Sequence, residues 1–282
     1  MRKESFAGVE ERFQPQHTQG ESFMKNAIWH AVGLGLAAWS TVASAAGEIK
    51  LQQVTSIVSS KYGISQQSST FEVNVANLAY NKQVFAHYKQ ADGSWVDLPL
   101  TYSRAVGSGR EIWTTSYSPP LNTTFDLQFA LKYVVNGQTY WDNNNGNNHF
   151  VPKDSGAHLG AGINVHNLYY QPTVRLGVSD AYVYGAAALR NLAVLKDVTI
   201  VYSTDNWATT KSTTATYSPN HWAGAYSSAA NPNADGIEVW PFSLNVGAGA
   251  SQVDYAIRYT VNGEVHWDNN GGQNYRSALV RQ

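Results

Sequence analysis

The sequence contains no cysteine among its 282 residues, which excludes disulfides, thiolate metal sites and a cysteine nucleophile. Charge is scarce as well. Charged residues make up 14% of the chain, against about 25% in ordinary globular proteins. Net charge is −1, so no basic field is available to hold nucleic acid or an anionic lipid surface. The 8 histidines never fall at His-x-x-x-His or His-x-x-Glu-His spacing, the helical pattern that holds a catalytic zinc. No carboxylate pair or nucleophile with a neighbouring base can be picked out, so no catalytic residue is assigned and the chain reads as non-enzymatic. Beyond residue 46 no long helical stripe occurs. Ala186-Ala-Ala-Leu-Arg190 is the one local exception, and it lies where a strand connection is expected.

What is abundant is aromatic and amide. Aromatics reach 12% and glycines number 23, a composition suited to short strands and turns. Tyr133-Val-Val-Asn-Gly-Gln-Thr-Tyr-Trp-Asp-Asn-Asn-Asn-Gly-Asn-Asn-His149 returns as Tyr259-Thr-Val-Asn-Gly-Glu-Val-His-Trp-Asp-Asn-Asn-Gly-Gly-Gln-Asn-Tyr275. Each copy reads as a strand, an Asn-Gly hairpin turn, a second strand and an amide-rich loop. The match extends backward. Trp267 follows Trp141 by 126 residues, Glu238-Val-Trp240 follows Glu111-Ile-Trp113 by 127, and Asn191-Leu-Ala follows Asn77-Leu-Ala by 114. The drift places an insertion in the second copy, around His221-Trp-Ala-Gly-Ala-Tyr226. A period above 100 residues means duplicated domains, not a solenoid.

The expected organisation has five parts: 1–23, an over-extended N-terminus; 24–46, a signal peptide; 47–151, a first module; 152–162, a Gly-rich linker; and 163–282, a second module. The signal reading rests on Lys25, the apolar run Ala31–Trp39 and the small-x-small pattern Ala43-Ser-Ala45. It predicts a secreted or periplasmic protein with no membrane attachment once the signal is cleaved. Within the modules Phe71, Val73 and Val75 share one strand face and Glu72 and Asn74 the other, the period-two pattern of a sandwich strand. The fold class expected is all-β, two antiparallel β-sandwiches in tandem. Trp113 and Trp240, mid-strand beside Ile112 and Val239, are expected in the core.

Asn77-Leu-Ala-Tyr-Asn-Lys82, a Trp after an Asp-Gly turn, and the hairpin ending in Tyr-Trp-Asp-Asn-Asn resemble carbohydrate-binding module family 21. That family includes the starch-binding domain of fungal glucoamylase and the glycogen-targeting domain of protein phosphatase 1 regulatory subunits. The resemblance implies immunoglobulin-like sandwiches that bind α-glucan. It places one site at Trp95 with Trp141 and at Trp207 with Trp267, flanked by Asn143, Asn145 and Asn148, and by Asn269 and Asn274. Both copies depart from the family pattern at Ala130 and Ala256, where a further aromatic would fall, and Gly271 replaces one amide. A second site is implied at Tyr80 and Tyr102; its counterpart keeps Tyr217 but has Val194 in place of the first tyrosine.

The chemistry suits a neutral polyol. An indole covers the apolar C–H face of a pyranose at low entropic cost. An asparagine amide offers donor and acceptor together to adjacent hydroxyls, and Lys82 and Lys196 are expected to donate to hydroxyl oxygens as well. Two tethered copies on a polymer gain affinity through effective concentration. The implied partner is polysaccharide (starch, glycogen or maltooligosaccharide), with a separate amylolytic enzyme acting beside it. No cofactor is expected, and one carboxylate per loop, Asp142 or Asp268, supplies too little charge for calcium. Two alternatives stand. One is an exported adhesive or structural sandwich pair that binds protein. The other is a glycogen-targeting scaffold, although the chain holds no Arg/Lys-Val-x-Phe docking sequence.

Overall fold

The computed structural model describes residues 43–44, 47–177 and 180–279. The expected N-terminal extension and signal, 1–23 and 24–46, therefore lie outside the described residues, apart from a two-residue strand at Ala43–Ser44. The fold is all-β. The one helical element among the described residues is a 3-10 turn at His221–Ala225. No helix among them is long and apolar enough to cross a membrane.

Each module is built from two sheets whose strands pair antiparallel, apart from Ala43–Ser44, which runs parallel to Gln138–Asp142. In the first module one sheet runs Gln138–Asp142, Leu127–Val135, Lys82–Lys89, Trp95–Pro99, with His149–Val151 also paired to Leu127–Val135. The other runs Gly156–Leu159, Ile49–Lys61, Ile64–Ala76, Arg110–Tyr117, Thr101–Val106. Alternation along the strands produces the core. Leu127, Phe129, Leu131, Tyr133 and Val135 are all buried, against Phe71, Val73 and Val75 from the opposite sheet. Phe71 and Phe129 meet edge-on at 5.1 Å. Each such side chain contributes about 1.5–3 kcal/mol by leaving water.

The second module repeats the plan. Lys211–Thr214, Lys196–Ser203, Gln252–Val261 and Glu264–Asp268 form one sheet; Val165–Asn167, Thr173–Leu176, Ala181–Arg190 and Ile237–Asn245 form the other. Both hairpins turn as their sequences dictate. Asn136 and Gly137 have φ of 51° and 72°, and Asn262 and Gly263 have 52° and 79°. Two consecutive positive φ values define the turn that matches strand twist. The alanine run reads as strand because both of its faces are covered. Ala187 and Leu189 enter the second core, while Ala186 and Ala188 enter a third apolar cluster.

That third cluster joins the modules. Ala157 and Leu159 pack against Ala186, Ala188, Trp222, Ile237 and Val239. The expected linker is thus partly a strand, Gly156–Leu159 pairing with Ile49–Lys61. The insertion of the second copy grips the first. Trp222 is buried in the shared cluster, Tyr226 O accepts from Ser60 N at 3.0 Å, and Asp154 accepts from Ser227 Oγ and from Ser228 N at 3.1 Å.

A buried ionic cluster completes the junction. Arg104 Nη2 donates to Glu72 Oε1 at 2.5 Å and Arg104 Nε donates to Asn270 Oδ1 at 2.9 Å. His166 Nδ1 lies 3.1 Å from Asp268 Oδ2, which also accepts from Asn167 N at 2.6 Å and Tyr275 Oη at 2.7 Å. Glu72, which sequence alternation puts on the face opposite the core, is buried because the second module covers that face. Beside the cluster the two backbones touch. A Cβ on Gly107 would stand 1.9 Å from Gly271 O, so only glycine fits there. Gly107→Ala is expected to cost about 2–3 kcal/mol, as overpacking does, and to split a single calorimetric unfolding transition into two as the modules uncouple.

Candidate functional site

The second module presents an open aromatic groove. Trp207 and Trp267 wall a depression of 360 Å³ whose floor is Val201 and Ala256, with Asn269 and Asn274 at its rim. Cross-strand pairing explains the floor. Val201 lies opposite Ala256, and Trp267 sits one strand further, opposite Arg258. Small and branched residues between two indoles leave a slot. Trp267 is 50% exposed, a large apolar area for a residue on a polar rim.

Trp207 is held there at some cost. Its φ is +68°, a left-handed conformation that costs an ordinary L-residue about 1–2 kcal/mol. A polar turn compensates. Trp207 N donates to Ser203 Oγ at 2.9 Å, and Asp205 accepts from Thr209 N at 2.9 Å and from Thr209 Oγ1 at 2.7 Å. The Thr209 and Ser203 hydrogen bonds hold the Asp205 carboxyl down at about 2, so the turn keeps its charge through mild acid. Strained backbone that is firmly held is often a sign of function.

The first module places the same residues differently. Trp95 stacks on His87 at 5.2 Å and 21°, and Trp141 meets the same His87 edge-on at 5.6 Å. His87 occupies the position of Val201, opposite Ala130. Asp97 fixes it, with Oδ1 2.7 Å from His87 Nδ1 and Oδ2 2.7 Å from Lys132 Nζ. Partial burial would raise the Asp97 carboxyl, but Lys132 and His87 hold it below its ordinary value. Lys132 Nζ also lies 5.8 Å from the Trp141 ring centre, a cation–π contact. The two indoles are brought together, but with a histidine between them. His87 was not among the expected site residues; its place in Val84-Phe-Ala-His-Tyr88, between the inward-facing Ala86 and Tyr88, was the available signal.

The amide loops superimpose in their bonding. Asn143 O accepts from Asn148 N at 2.8 Å and Asn143 Oδ1 from Gly146 N at 3.0 Å; Asn269 O accepts from Asn274 N at 2.7 Å and Asn269 Oδ1 from Gly272 N at 2.9 Å. Asn145, Asn148 and Asn274 have φ near +60°, at 57°, 59° and 59°, which Asn tolerates better than most residues. Asn143 and Asn269 therefore each give a side-chain acceptor position to the turn and keep their amide N–H groups for a ligand. Asn143 and Asn145 line a 220 Å³ cleft with Trp141; Asn148 is not part of its wall. Asp142 and Asp268 anchor the loops to the opposite sheet, accepting from Leu51 N at 2.9 Å and from Asn167 N at 2.6 Å.

Lys82 and Lys196 correct the expectation. Lys82 Nζ contacts Glu111 Oε2 at 2.8 Å with its side chain 3% exposed, and Lys196 Nζ contacts Glu238 Oε2 at 2.9 Å. Each ammonium also donates to the Asn that opens its motif, Asn77 or Asn191, at 2.5 Å. The ammonium of each lysine is thus committed to an ion pair, with its side chain almost fully covered. Trp113 and Trp240 pack against the cores as expected but are only half-buried, with the Trp113 indole N–H donating to Glu111 at 3.0 Å and that of Trp240 to Glu238 at 2.8 Å. Removing one partner of such a pair leaves the other buried and uncompensated. Lys196→Ala should therefore lower stability by about 3 kcal/mol, read from the urea midpoint, while the folded fraction keeps its groove.

None of the expected site tyrosines lines the depressions described above. Tyr80 is 98% exposed at its loop tip, and Tyr102, also exposed, lies edge-on to Trp113 at 6.2 Å. In the second module Tyr217 is half-buried, its hydroxyl donating to Asn231 O, and Val194 stands in solvent.

Comparison with known proteins identifies the family of both modules. Residues 46–152 and 162–278 each match the Carbohydrate/starch-binding module (family 21). Glucoamylase 1 of Rhizopus oryzae is 37% identical over 90 residues, 29% of this chain and 14% of that protein. Protein phosphatase 1 regulatory subunit 3C-B of Danio rerio is 33% identical over 93 residues, 30% of this chain and 29% of that one. The chain thus spans less than a third of either relative's length. Among solved structures, the starch-binding domain of Rhizopus oryzae glucoamylase, in complex with β-cyclodextrin and maltoheptaose, is 24% identical, with a TM-score of 0.30. The match covers 43% of this chain and 99% of that one. Matched twice over most of its length, the chain belongs to the family 21 carbohydrate/starch-binding modules.

Proposed function

We propose that this protein is a non-catalytic α-glucan-binding protein whose principal site is the Trp207–Trp267 groove of the second module. One observation carries the reading: two indoles wall a slot with an apolar floor and amides at its rim. A pyranose in that slot covers its C–H face with Trp267 or Trp207 and offers its edge hydroxyls to the amide N–H of Asn269 and to Asn274. The first module adds a shallower platform at Trp95, His87 and Trp141, with Asn145 beside it; Asn148, Tyr80, Tyr102 and Tyr217 are auxiliary. Family membership supports starch or glycogen as the ligand class. The composition of residues 24–46 supports export to the periplasm or the cell exterior, where a separate amylolytic enzyme would share the polymer.

Affinity electrophoresis tests this directly. The protein should be retarded in gels containing amylose or glycogen and run freely in gels containing cellulose or no polysaccharide. Free migration in every gel would remove the glucan reading and favour a protein-binding sandwich pair. The similarity to phosphatase regulatory subunits favours a second reading, a glycogen-bound scaffold. Retention of a phosphatase catalytic subunit on amylose resin only when this protein is present would support it.

A further inference from the structure

We propose that the Trp207–Trp267 groove, the cleft at the module junction and the Trp141 cleft form one track, along which a single linear α-glucan chain binds both modules. The inference rests on the glucan reading above and concerns a surface that neither module has alone.

Three depressions share their walls. The junction cleft, 460 Å³, is bounded by Trp267 and Asn269, which also bound the 360 Å³ groove with Trp207. Lys50 bounds the junction cleft on one side and the 220 Å³ cleft of Trp141 and Asn143 on the other. A ligand leaving the tryptophan slot past Trp267 therefore enters the junction, and leaving the junction past Lys50 it reaches Trp141. The junction cleft and the tryptophan groove, at 460 and 360 Å³, have the volume of small-ligand sites, and the Trp141 cleft is smaller.

The junction walls have the chemistry a polyol needs. Asn74, Asn164 and His266 line it with Lys50. The Lys50 ammonium has no ion-pair partner among the described residues and lies exposed. It offers donors to hydroxyl oxygens, while the Asn164 amide supplies donor and acceptor together. The track is also held in register. Asn270 is bonded to Arg104 of the first module, and Gly271 touches Gly107. The loop that carries Asn269 is therefore fixed by the module opposite, and the glycine that replaces an amide there makes room for the contact. Preorganisation of this kind spares the ordering cost that a flexible tether would impose.

Isothermal titration with maltoheptaose and with a linear amylose fraction several times longer tests the track. The unmodified protein should bind one long chain per molecule, about tenfold or more tighter than maltoheptaose. Asn164→Ala, at a side chain that lines only the junction cleft, should bring the long-chain affinity down to the maltoheptaose level and leave maltoheptaose affinity unchanged, which also shows the variant folded. If that variant loses maltoheptaose binding too, His266→Ala, at a second side chain that lines only the junction cleft, should show the selective loss of long-chain affinity instead. Two long chains per molecule, or long-chain affinity untouched by the substitutions, would overturn the track. No binding of either ligand to the unmodified protein would instead overturn the glucan reading on which the track depends.

Discussion

Trp207→Ala/Trp267→Ala is expected to lower maltoheptaose affinity by about 100-fold or more, measured by isothermal titration. Each indole contributes buried apolar area plus about 0.5–1.5 kcal/mol of specific ring contact. Aromatic anchors in a defined slot carry most of the energy of such sites. Neither ring lies in the hydrophobic core of the second module, so the loss should appear in binding and not in the unfolding midpoint. Trp95→Ala/Trp141→Ala should cost less, about tenfold at most. In that module His87 already faces Trp95 and Trp141, and Lys132 lies over Trp141. The order of the two losses is the informative result. Equal losses would mean that the histidine does not narrow the first platform.

The second large effect is on stability. His166→Ala is expected to cost about 3–5 kcal/mol near pH 6, because it leaves Glu72 and Asp268 buried with one cation fewer. Burial alone would push the His166 imidazole down, but Asp268 and Glu72 beside it raise it to about 10. Burial likewise opposes the charge on Glu72 and Asp268, yet His166 holds both carboxyls below their ordinary values, with Arg104 assisting at Glu72 and Tyr275 at Asp268. The signs then follow. A histidine raised on folding contributes fully below its unfolded value of about 6.5 and loses that contribution as pH rises toward 10. The two lowered carboxylates contribute above about pH 4.5 and lose their contribution as pH falls below it. Stability should therefore be greatest between about pH 5 and 6.5 and decline on the alkaline side. The urea midpoint of the unmodified protein, followed from pH 6 to 9.5, should fall more steeply than that of His166→Ala. Parallel declines would place the histidine outside the lock between the modules.

Local pattern made much of this molecule legible. The repeat, the Asn-Gly hairpins and the alternation of Phe71, Val73 and Val75 depend on neighbours in sequence, and the sheets follow them. Trp207, Trp267, Asn269 and Asn274 were legible as a group because the repeat places each beside a turn, and they share one groove. What sequence hid was pairing at a distance. Lys82 and Lys196 look like exposed polar residues after a loop, but Glu111 and Glu238, 29 and 42 residues further along the chain, meet them in the fold. Nothing near Glu72 or Arg104 announces a second module on that face. The loss of an amide at Gly271 reads as a weakened contact until Gly107 is seen against it. The insertion around Trp222 is visible as extra length, yet its role in gripping the first module depends on Ser60 and Asp154, far along the chain.

The most direct test is a crystal structure of the protein with maltoheptaose. The account predicts sugar rings stacked on Trp267 and Trp207, with hydroxyls within hydrogen-bond reach of Asn269 and Asn274. Sugar bound elsewhere on the surface, with the slot between the two tryptophans empty at saturating ligand, would contradict it.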